Sequence, residues 1–332
     1  MSRTFQALVV RVSDDKNYTR AIEERSIDDL PQGEVLIRVH YSSLNYKDGL
    51  SCIGNRGVTR HYPHTPGIDA AGVVETSDNN DFKAGDPVVI TSYDLGMNTA
   101  GGFGQFIRIP ANWVMPLPEG LSLRESMIYG TAGYTAGLSV NALQRHGVNP
   151  GEDHPIVVTG ATGGVGSVSV ALLASLGYSV SASTGKPDAA DFLKKIGASE
   201  VIERDAVNDK YGKPLLKETW AGAIDTVGGT TLATLLKACK EGGAVAATGM
   251  VASTDLPTTV FPFILRGVSL LGINAQGTSM SIRQEIWSKL SEEWKPAGLE
   301  HLAFDCRLEK LNPEIDRILA GGQRGRVVVN LQ

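Results

Sequence analysis

The segment Ile156-Val157-Val158-Thr159-Gly160-Ala161-Thr162-Gly163-Gly164-Val165-Gly166 decides the fold of this 332-residue chain. Its apolar, β-branched residues lead into a glycine-rich turn, and a run of small residues up to Leu176 reads as a helix. A second β-prone run occupies residues 179–183. A strand, a glycine-rich turn, a helix and a second strand in this order predict the first half of a doubly wound parallel sheet.

Strands and helices alternate from about residue 125 onward, which is the pattern of a parallel sheet covered by helices on both faces. Six strands are expected, the number in a Rossmann domain. They are residues 156–159, 179–183, 201–202, 222–227, 244–249 and 268–274. The sequence therefore predicts an α/β fold with a Rossmann sheet at its centre.

The first third of the chain and its last residues are β-prone. Short runs at 5–12, 34–41, 71–75, 88–92 and 104–109 are separated by glycine and proline turns and predict a small barrel or sandwich. The C-terminal run 326–331 needs a partner, so we expect it to return to this sheet. The predicted domains are residues 1–124 with 300–332 for substrate, and residues 125–299 for a dinucleotide.

The composition excludes several classes of partner. The formal net charge is −5 and no Lys/Arg run stands out, which argues against nucleic acid. No apolar stretch approaches the roughly 20 residues of a membrane helix, and residues 1–10 lack the core of a signal peptide. Three widely separated cysteines form no disulfide framework. A small-molecule substrate and a reducing cytoplasm are expected.

The glycine-rich turn is typical of a dinucleotide site, because bare backbone lets a pyrophosphate approach the N-terminus of the helix. The alternative interpretation is a turn that only packs the helix on the sheet. The second strand ends in Ser183-Thr184-Gly185-Lys186, where an NAD site would place a carboxylate. Two hydroxyls, a glycine and a cation suit a 2′-phosphate, so the sequence favours NADPH. Arg204 either joins this phosphate site or is a solvated surface arginine.

The whole chain resembles the medium-chain dehydrogenase/reductase superfamily, and most closely its zinc-free quinone oxidoreductase type and the YhdH/AcuI-like acrylyl-CoA reductase branch. The matching segments, besides the glycine-rich turn, are residues 42–48 (SSLNYKD), 66–72 (PGIDAAG), 130–136 (GTAGYTA), 220–228 (WAGAIDTVG) and 256–266 (LPTTVFPFILR). The resemblance implies a GroES-like β-barrel domain completed by the C-terminus, a Rossmann domain, and a cofactor cleft at their junction.

The resemblance also makes some absences informative. The positions of the zinc ligands in zinc-containing relatives carry Asn45, Tyr46, Ile68, Asp69 and Thr131 in this chain. The four-cysteine structural lobe of those relatives is missing. Zinc prefers thiolate and imidazole ligands in a tight cluster, so we expect no zinc.

Cofactor contacts are carried over from the resemblance. Thr162, Gly163, Gly164 and Val165 should line the pyrophosphate, and Ser183, Thr184, Gly185, Lys186 and Arg204 should hold the adenosine phosphate. Tyr46 should contact the nicotinamide end, and Thr131 is a further cofactor candidate. Met250 and Asn274 follow the fifth and sixth strands, at the carboxyl edge where open parallel sheets bind ligands. Core packing is the alternative for Met250.

The expected reaction is hydride transfer to an activated C=C bond, with acrylyl-CoA as the substrate that the resemblance implies. Such a reduction needs hydrogen-bond donors for the developing enolate rather than a Lewis acid. Asn45, Tyr46 and Asp48 are the polar candidates nearest this step, and Arg56 is the candidate for an anionic substrate. Asn45 and Asp48 have the alternative role of beginning the helix that follows.

Other activities remain open at this stage. The alternative enzyme activity is that of a quinone or general enone reductase. The alternative from a different class of protein is a non-catalytic NADPH-binding sensor. The β-prone run 268–273 lies where family dimers join their sheets, so a homodimer is expected.

Overall fold

The computed structural model describes residues 3–151 and 153–332, and the chain divides into two units. The described residues of the first unit lie within Met1–Thr131, Ser279–Gln284 and Ala303–Gln332. Those of the second lie within Ala132–Thr278 and Glu285–Leu302. Each unit is built from a different kind of sheet.

The first unit is mainly β. Its strands are β1 (Thr4–Val12), β2 (Tyr18–Ser26), β3 (Val35–Ser43), β4 (Asp69–Ser77), β5 (Pro87–Thr91), β6 (Phe106–Ile109), β7 (Met115–Pro116), β14 (Ala303–Arg307) and β15 (Arg326–Asn330). Its helices are α1 (Tyr46–Cys52) and α8 (Leu311–Leu319). Two further helices, α2 (Leu123–Arg145) and α7 (Met280–Ser291), contribute residues to both units.

The larger sheet of this unit joins the two ends of the chain. Its order is β14-β15-β3-β4-β5-β7, with β6 paired to β3, and β1 and β2 form a separate antiparallel pair. Strand β15 runs antiparallel to β3, with Val328 opposite Ser43. The prediction that the C-terminal run returns to the N-terminal sheet is confirmed.

The second unit contains a six-stranded, fully parallel sheet. The strands are β8 (Ile156–Val158), β9 (Val180–Thr184), β10 (Glu200–Glu203), β11 (Trp220–Asp225), β12 (Cys239–Ala247) and β13 (Ser269–Gly272). The helices between them are α3 (Gly164–Ser175), α4 (Ala190–Lys195), α5 (Gly229–Ala238) and α6 (Phe261–Arg266). The spatial order β10-β9-β8-β11-β12-β13 corresponds to the Rossmann order 3-2-1-4-5-6. The predicted Rossmann sheet is confirmed.

Two features depart from the sequence-based expectation. Strand β2 was not predicted, because Tyr18–Ser26 carries charged residues on both faces and pairs only with β1. Helix α2 runs across the expected domain junction at residues 124 and 125, and its regular geometry is interrupted at Gly130. None of the helices in the described ranges combines the length and apolar character that crossing a bilayer requires.

The core of the first unit gives a test of its packing. Ile107 on β6 is fully buried at 0 % exposure, whereas Ile53, which follows α1, is 52 % exposed. Ile107→Ala should lower the free energy of unfolding by about 2–5 kcal/mol, because it removes buried methyl groups and leaves a cavity. Ile53→Ala should change it by less than about 0.5 kcal/mol. Urea unfolding of both variants measures the difference, and equal losses would contradict this description of the core.

Candidate functional site

The glycine-rich turn of the second unit joins β8 to α3. Gly160 has φ 56°, and a Cβ atom there would lie 2.3 Å from Thr226 Oγ1. A Cβ atom on Gly166 would lie 2.3 Å from the carbonyl oxygen of Gly160. The backbone N–H of Gly163 donates to that same carbonyl at 2.8 Å. The turn therefore requires glycine at positions 160 and 166. The absence of side chains there leaves the backbone accessible to a pyrophosphate at the N-terminus of α3.

The ends of β9 and β10 lie side by side at the same edge of this sheet. The parallel register pairs Thr184 with Glu203, so the residues that follow these strands are neighbours. They form one wall of a cavity of about 730 Å³, whose lining includes Thr184, Gly185, Lys194 and Arg204. Ser183 is buried inside β9, and Lys186 follows Gly185, its backbone N–H donating to Thr184 Oγ1 at 3.1 Å. The lining contains the cations of Lys194 and Arg204 and the hydroxyl of Thr184, which suit a phosphate, together with the carboxylates of Glu200, Glu203 and Asp205.

The remaining candidates of the second unit lie along the same carboxyl edge. Thr162 is buried in the turn, and Gly163, Gly164 and Val165 begin α3. Met250 follows β12 and is 67 % exposed, so it is not part of the core. Asn274 follows β13 and its side-chain oxygen accepts a hydrogen bond from the N–H of Gly277 at 3.1 Å.

The first unit contains a fully buried carboxylate, that of Asp69 at the start of β4. It accepts hydrogen bonds from Ser43 Oγ at 2.6 Å, from Asn45 Nδ2 at 2.7 Å and from Thr131 Oγ1 at 2.6 Å. The backbone N–H of Thr131 also donates to Asp69 Oδ1 at 2.9 Å. A buried carboxylate is stable only with such partners, and Asp69 therefore fixes the positions of two candidate residues, Asn45 and Thr131.

Arg326 supplies the positive charge of this cluster from β15. Its side chain is 2 % exposed, and its Nη2 lies 3.9 Å from Asp69 Oδ2. Arg326 donates to Ser43 Oγ at 2.8 Å and to Asn45 Oδ1 at 3.3 Å. It also donates to two backbone carbonyls, those of Leu44 and Ile128. Burial lowers the pKa of Arg326, and the charges of Asp69 and Asp48 act in the opposite direction.

Gly130 makes room for the cluster. Its φ of 51° and ψ of −155° interrupt α2. A Cβ atom at this position would lie 2.4 Å from both Asp69 Oδ2 and Ser43 Oγ. The break in α2 also directs the N–H of the next residue, Thr131, to the Asp69 carboxylate. The helix is therefore broken where the buried carboxylate needs donors.

Asp48 begins the helix through its side chain, whereas Asn45 takes part in the helix start through its backbone and directs its side chain to the Asp69 cluster. Asp48 Oδ2 accepts from the backbone N–H of Asn45 at 2.7 Å, and Oδ1 accepts from the N–H of Ile68 at 2.9 Å. Burial, followed by the charge of Asp69, raises the pKa of Asp48 to about 7. Asn45 Nδ2 donates to the Ser43 carbonyl as well as to Asp69. Both amide hydrogens of Asn45 are thus used within the cluster.

Tyr46 and Arg56 are more accessible. Tyr46 begins α1 and is 44 % exposed. Arg56 lies in the exposed loop that follows α1. Of the three polar candidates for chemistry, Tyr46 is therefore the one whose side chain reaches the surface of the first unit.

Sequence reasoning did not identify Ser43, Asp69 and Arg326 as one cluster, nor Lys194 as part of the cavity. The sequence signal for the cluster is a charged residue followed by an apolar run at the start of each of two strands, Asp69 in β4 and Arg326 in β15. Within residues 3–151 and 153–332, no group of three or more His, Cys, Asp and Glu side chains has the arrangement of a metal site.

Comparison with known families gives one match in each unit. A family model described as "Alcohol dehydrogenase GroES-like domain" matches residues 31–119. A model described as "Zinc-binding dehydrogenase" matches residues 164–292. The GroES-like and Rossmann assignments made from the sequence are confirmed. The word zinc belongs to the name of the family model. In this chain the positions that resemblance assigns to zinc ligands carry Asn45, Tyr46, Ile68, Asp69 and Thr131.

Individual proteins match over nearly the whole chain. An acrylyl-CoA reductase from Ruegeria pomeroyi, AcuI, is 46 % identical over 329 residues, which cover 98 % of this chain and 99 % of that protein. The crystal structure of the yhdH oxidoreductase from Salmonella enterica in complex with NADP has a TM-score of 0.95 at 41 % identity, covering 98 % of this chain and 100 % of that one. The structure of Bacillus subtilis yhfP with NAD bound has a TM-score of 0.96 at 45 % identity, with coverages of 99 % and 100 %.

The buried cluster predicts unequal effects at two arginines of the first unit. Arg326→Met should lower the free energy of unfolding by about 3–5 kcal/mol, because it leaves buried carboxylates without their cation. Arg317 forms an ion pair with Glu314 while its own side chain is 52 % exposed. Arg317→Met should therefore cost about 0–1 kcal/mol. Urea unfolding at pH 7 measures both variants, and similar losses would show that the cluster is not the support described here.

The loss in free energy of unfolding caused by Arg326→Met should also depend on pH. Without the cation, the pKa of Asp48 rises further above its value in the unfolded chain, so the folded variant retains a proton that the unfolded chain has released. Stability then falls as the pH rises between these two pKa values. The deficit relative to the unsubstituted protein should be larger at pH 8 than at pH 5. A deficit that is equal at both pH values would contradict this interpretation.

The architecture and the sequence identities define the family independently of each other. The Rossmann order, the GroES-like first unit and the glycine-rich turn give the architecture, and identities above 40 % over nearly full length give the relatives. The chain therefore belongs to the medium-chain dehydrogenase/reductase superfamily of oxidoreductases, in the group that contains the acrylyl-CoA reductases.

Proposed function

We propose that this protein is an NADPH-dependent reductase of activated C=C bonds, with acrylyl-CoA or another short 2-enoyl-CoA thioester as its substrate. The observation that carries the proposal is the 46 % identity, over 98 % of the chain, to the acrylyl-CoA reductase of Ruegeria pomeroyi. We assign dinucleotide binding to a domain of residues 125–299, which contains most of the second unit, and substrate binding to a domain of residues 1–124 and 300–332, which contains most of the first unit.

The choice of NADPH rests on the ends of β9 and β10. The three residues that follow β9 carry no carboxylate, and Gly185 and Arg204 line the cavity beside it, together with Glu203 and Asp205 from the end of β10. A charged phosphate gains most from guanidinium and ammonium donors. The Salmonella relative was crystallised with NADP. The structure of the Bacillus relative has NAD bound, which lacks the 2′-phosphate.

NADPH, when bound, supplies the hydride that reaches the β-carbon of the substrate. The task of the protein is to hold the two reactants in line and to stabilise the charge that develops on the carbonyl oxygen. Tyr46 is the accessible hydroxyl, and we assign it to contact with the nicotinamide end or to proton relay. Asn45, Asp48 and Thr131 are held by Asp69 and the backbone around it, and they keep the start of α1 in place. Arg56 is assigned to an anionic group of the substrate.

A thioester substrate fits this kind of site better than a quinone does. Benzoquinones accept hydride readily, so many NADPH proteins reduce them without a fitted site. A thioester is less electrophilic and needs an oriented carbonyl. Its long CoA arm offers remote binding energy that positions the reacting end.

We also propose a homodimer formed through the second unit. Val260, Phe261, Ile264 and Leu265 on and beside α6 are 44–76 % exposed. The neighbouring strand β13 is an edge of the six-stranded sheet. A contiguous apolar patch next to an open sheet edge is typical of an interface, and a second copy would cover both at once.

A reducing compartment, the cytoplasm, is proposed as the location. Cys52, Cys239 and Cys306 are all buried and carry free thiols. Structural disulfides are rare in reducing compartments, and this cysteine usage agrees with one.

The phosphate assignment predicts a selective loss. Lys186→Ala should weaken NADPH binding about 10- to 150-fold, because one charge-assisted contact is worth about 1.5–3 kcal/mol. NADH binding should stay within about twofold, since NADH lacks the 2′-phosphate. Lys217→Ala, at an exposed lysine of the same unit that is not part of the cavity lining, is the control and should leave both cofactors unaffected. Equal weakening of NADPH and NADH by Lys186→Ala would show that the assignment is wrong.

The substrate assignment predicts an order of kcat/KM values. Acrylyl-CoA should lead, free acrylate should be very poor because it lacks the CoA arm, and 1,4-benzoquinone should fall below acrylyl-CoA. Crotonyl-CoA adds one methyl group, and a tight pocket should discriminate against it by about 10- to 200-fold. All four are assayed under one set of conditions with NADPH.

If benzoquinone leads and acrylyl-CoA equals free acrylate, a quinone or general enone reductase replaces the proposal. If no compound supports NADPH consumption, the protein is a non-catalytic NADPH-binding sensor.

The dimer is tested on the apolar patch. Ile264 is 76 % exposed on α6, and Ile264→Glu should convert a dimer to a monomer, because it places a charge in an interface that excludes water. Ile53→Glu, in the first unit, is the control and should stay dimeric. Light scattering during size exclusion measures the mass, and a monomeric unsubstituted protein would refute the proposal.

A further inference from the structure

Gly185 follows the last residue of β9, and the guanidinium group of Arg204 packs directly against it. A Cβ atom built on Gly185 would lie 2.5 Å from Nη2, 2.9 Å from Cζ and 3.1 Å from Nε of Arg204. The three nearest atoms all belong to this one side chain. Any side chain at position 185 would therefore occupy the place that the guanidinium now holds.

The backbone does not require glycine at this position. The φ of Gly185 lies outside the left-handed region, which L-residues rarely adopt, and the residue is exposed. Neither strain nor core packing therefore opposes a side chain. Among the described residues, the group nearest to a small side chain at this position is the guanidinium of Arg204, which would have to move.

The charge of Arg204 is available for a ligand. Glu203 and Asp205 flank it in sequence, yet across the described part of the chain no carboxylate forms an ion pair with Arg204. Asp205 pairs instead with Lys210 at 2.7 Å. Gly185 and Arg204 both line the cavity of about 730 Å³ at the ends of β9 and β10.

We propose that Gly185 determines cofactor specificity as a positioning residue, because its missing side chain leaves the Arg204 guanidinium in the cavity wall. The inference rests on the proposed function, in which the cavity receives the 2′-phosphate of NADPH. A methyl group at position 185 pushes the guanidinium away from this position. A carboxylate there pairs with the guanidinium and repels the phosphate.

The experiment measures the dissociation constants of NADPH and NADH by fluorescence titration. The variants are Gly185→Ala, Gly185→Asp, Arg204→Ala and the double variant Gly185→Ala/Arg204→Ala. Gly298→Ala is the control, since Gly298 is exposed, lies in the same unit, is outside the left-handed region, and a Cβ atom there would lie 3.3 Å from the nearest atom, in His301.

Arg204→Ala should weaken NADPH about 10- to 150-fold. Gly185→Ala should weaken NADPH by at least about threefold but less than Arg204→Ala does, because a displaced guanidinium keeps its charge and loses its geometry. Gly185→Asp should weaken NADPH by more than Gly185→Ala, since it adds a like charge beside the phosphate. NADH affinity should stay within about twofold in the alanine variants. In the Arg204→Ala background, Gly185→Ala should have no further effect, since the group through which it acts is gone.

Four outcomes would overturn the inference. If Gly185→Ala weakens NADH as much as NADPH, or weakens NADPH by the same factor with and without Arg204, Gly185 has a general structural role instead. If Arg204→Ala weakens NADPH and Gly185→Ala has no effect, only the positioning role fails and the proposed cofactor stands. If Arg204→Ala itself leaves NADPH binding unchanged, the phosphate site of the proposed function is wrong as well.

Discussion

The burial of one carboxylate, that of Asp69, constrains the whole first unit. A buried charge needs both a counter-charge and donors for its lone pairs. The counter-charge comes from Arg326, at the far end of the chain, and the donors come from Ser43, Asn45 and Thr131. Three features of the fold bring these partners to Asp69: β15 lies beside β3, α1 begins at Tyr46, and α2 breaks at Gly130.

The same cluster shows how the fold keeps its geometry at positions where zinc-containing relatives, by resemblance, place their metal ligands. A metal would organise its ligands by its own charge and coordination. In this chain a guanidinium provides the charge, and hydrogen bonds provide the orientation. A guanidinium directs its donors in a fixed plane, so Arg326 orients Asn45 and Ser43 through two defined hydrogen bonds. The cluster thereby leaves Tyr46, at the exposed start of α1, as the accessible polar group.

The sequence was sufficient where structure follows from local pattern, and insufficient where it depends on distant partners. The six parallel strands and the glycine-rich turn were predicted because each strand is an apolar run with its own turn signal. Strand β2 was missed because its residues alternate in no apolar pattern and only pairing with β1 makes it a strand. The Asp69–Arg326 cluster was missed because its members are joined only by the folded sheet. The candidates at the dinucleotide turn needed no such distant contact, since strand, turn and helix are consecutive.

Glycine shows most directly what the sequence alone does not reveal, because the same residue type occurs at two positions for different structural reasons. Gly130 has a positive φ, and the space of its missing Cβ belongs to buried polar atoms of Asp69 and Ser43. Gly185 has no such φ, and the space of its missing Cβ belongs to the mobile end of an exposed arginine. A side chain at Gly130 would oppose both the backbone and the core, whereas one at Gly185 would only move a surface cation. The first position is thus fixed by folding, whereas at the second the backbone does not require glycine, and the proposed contact of Arg204 with the cofactor does.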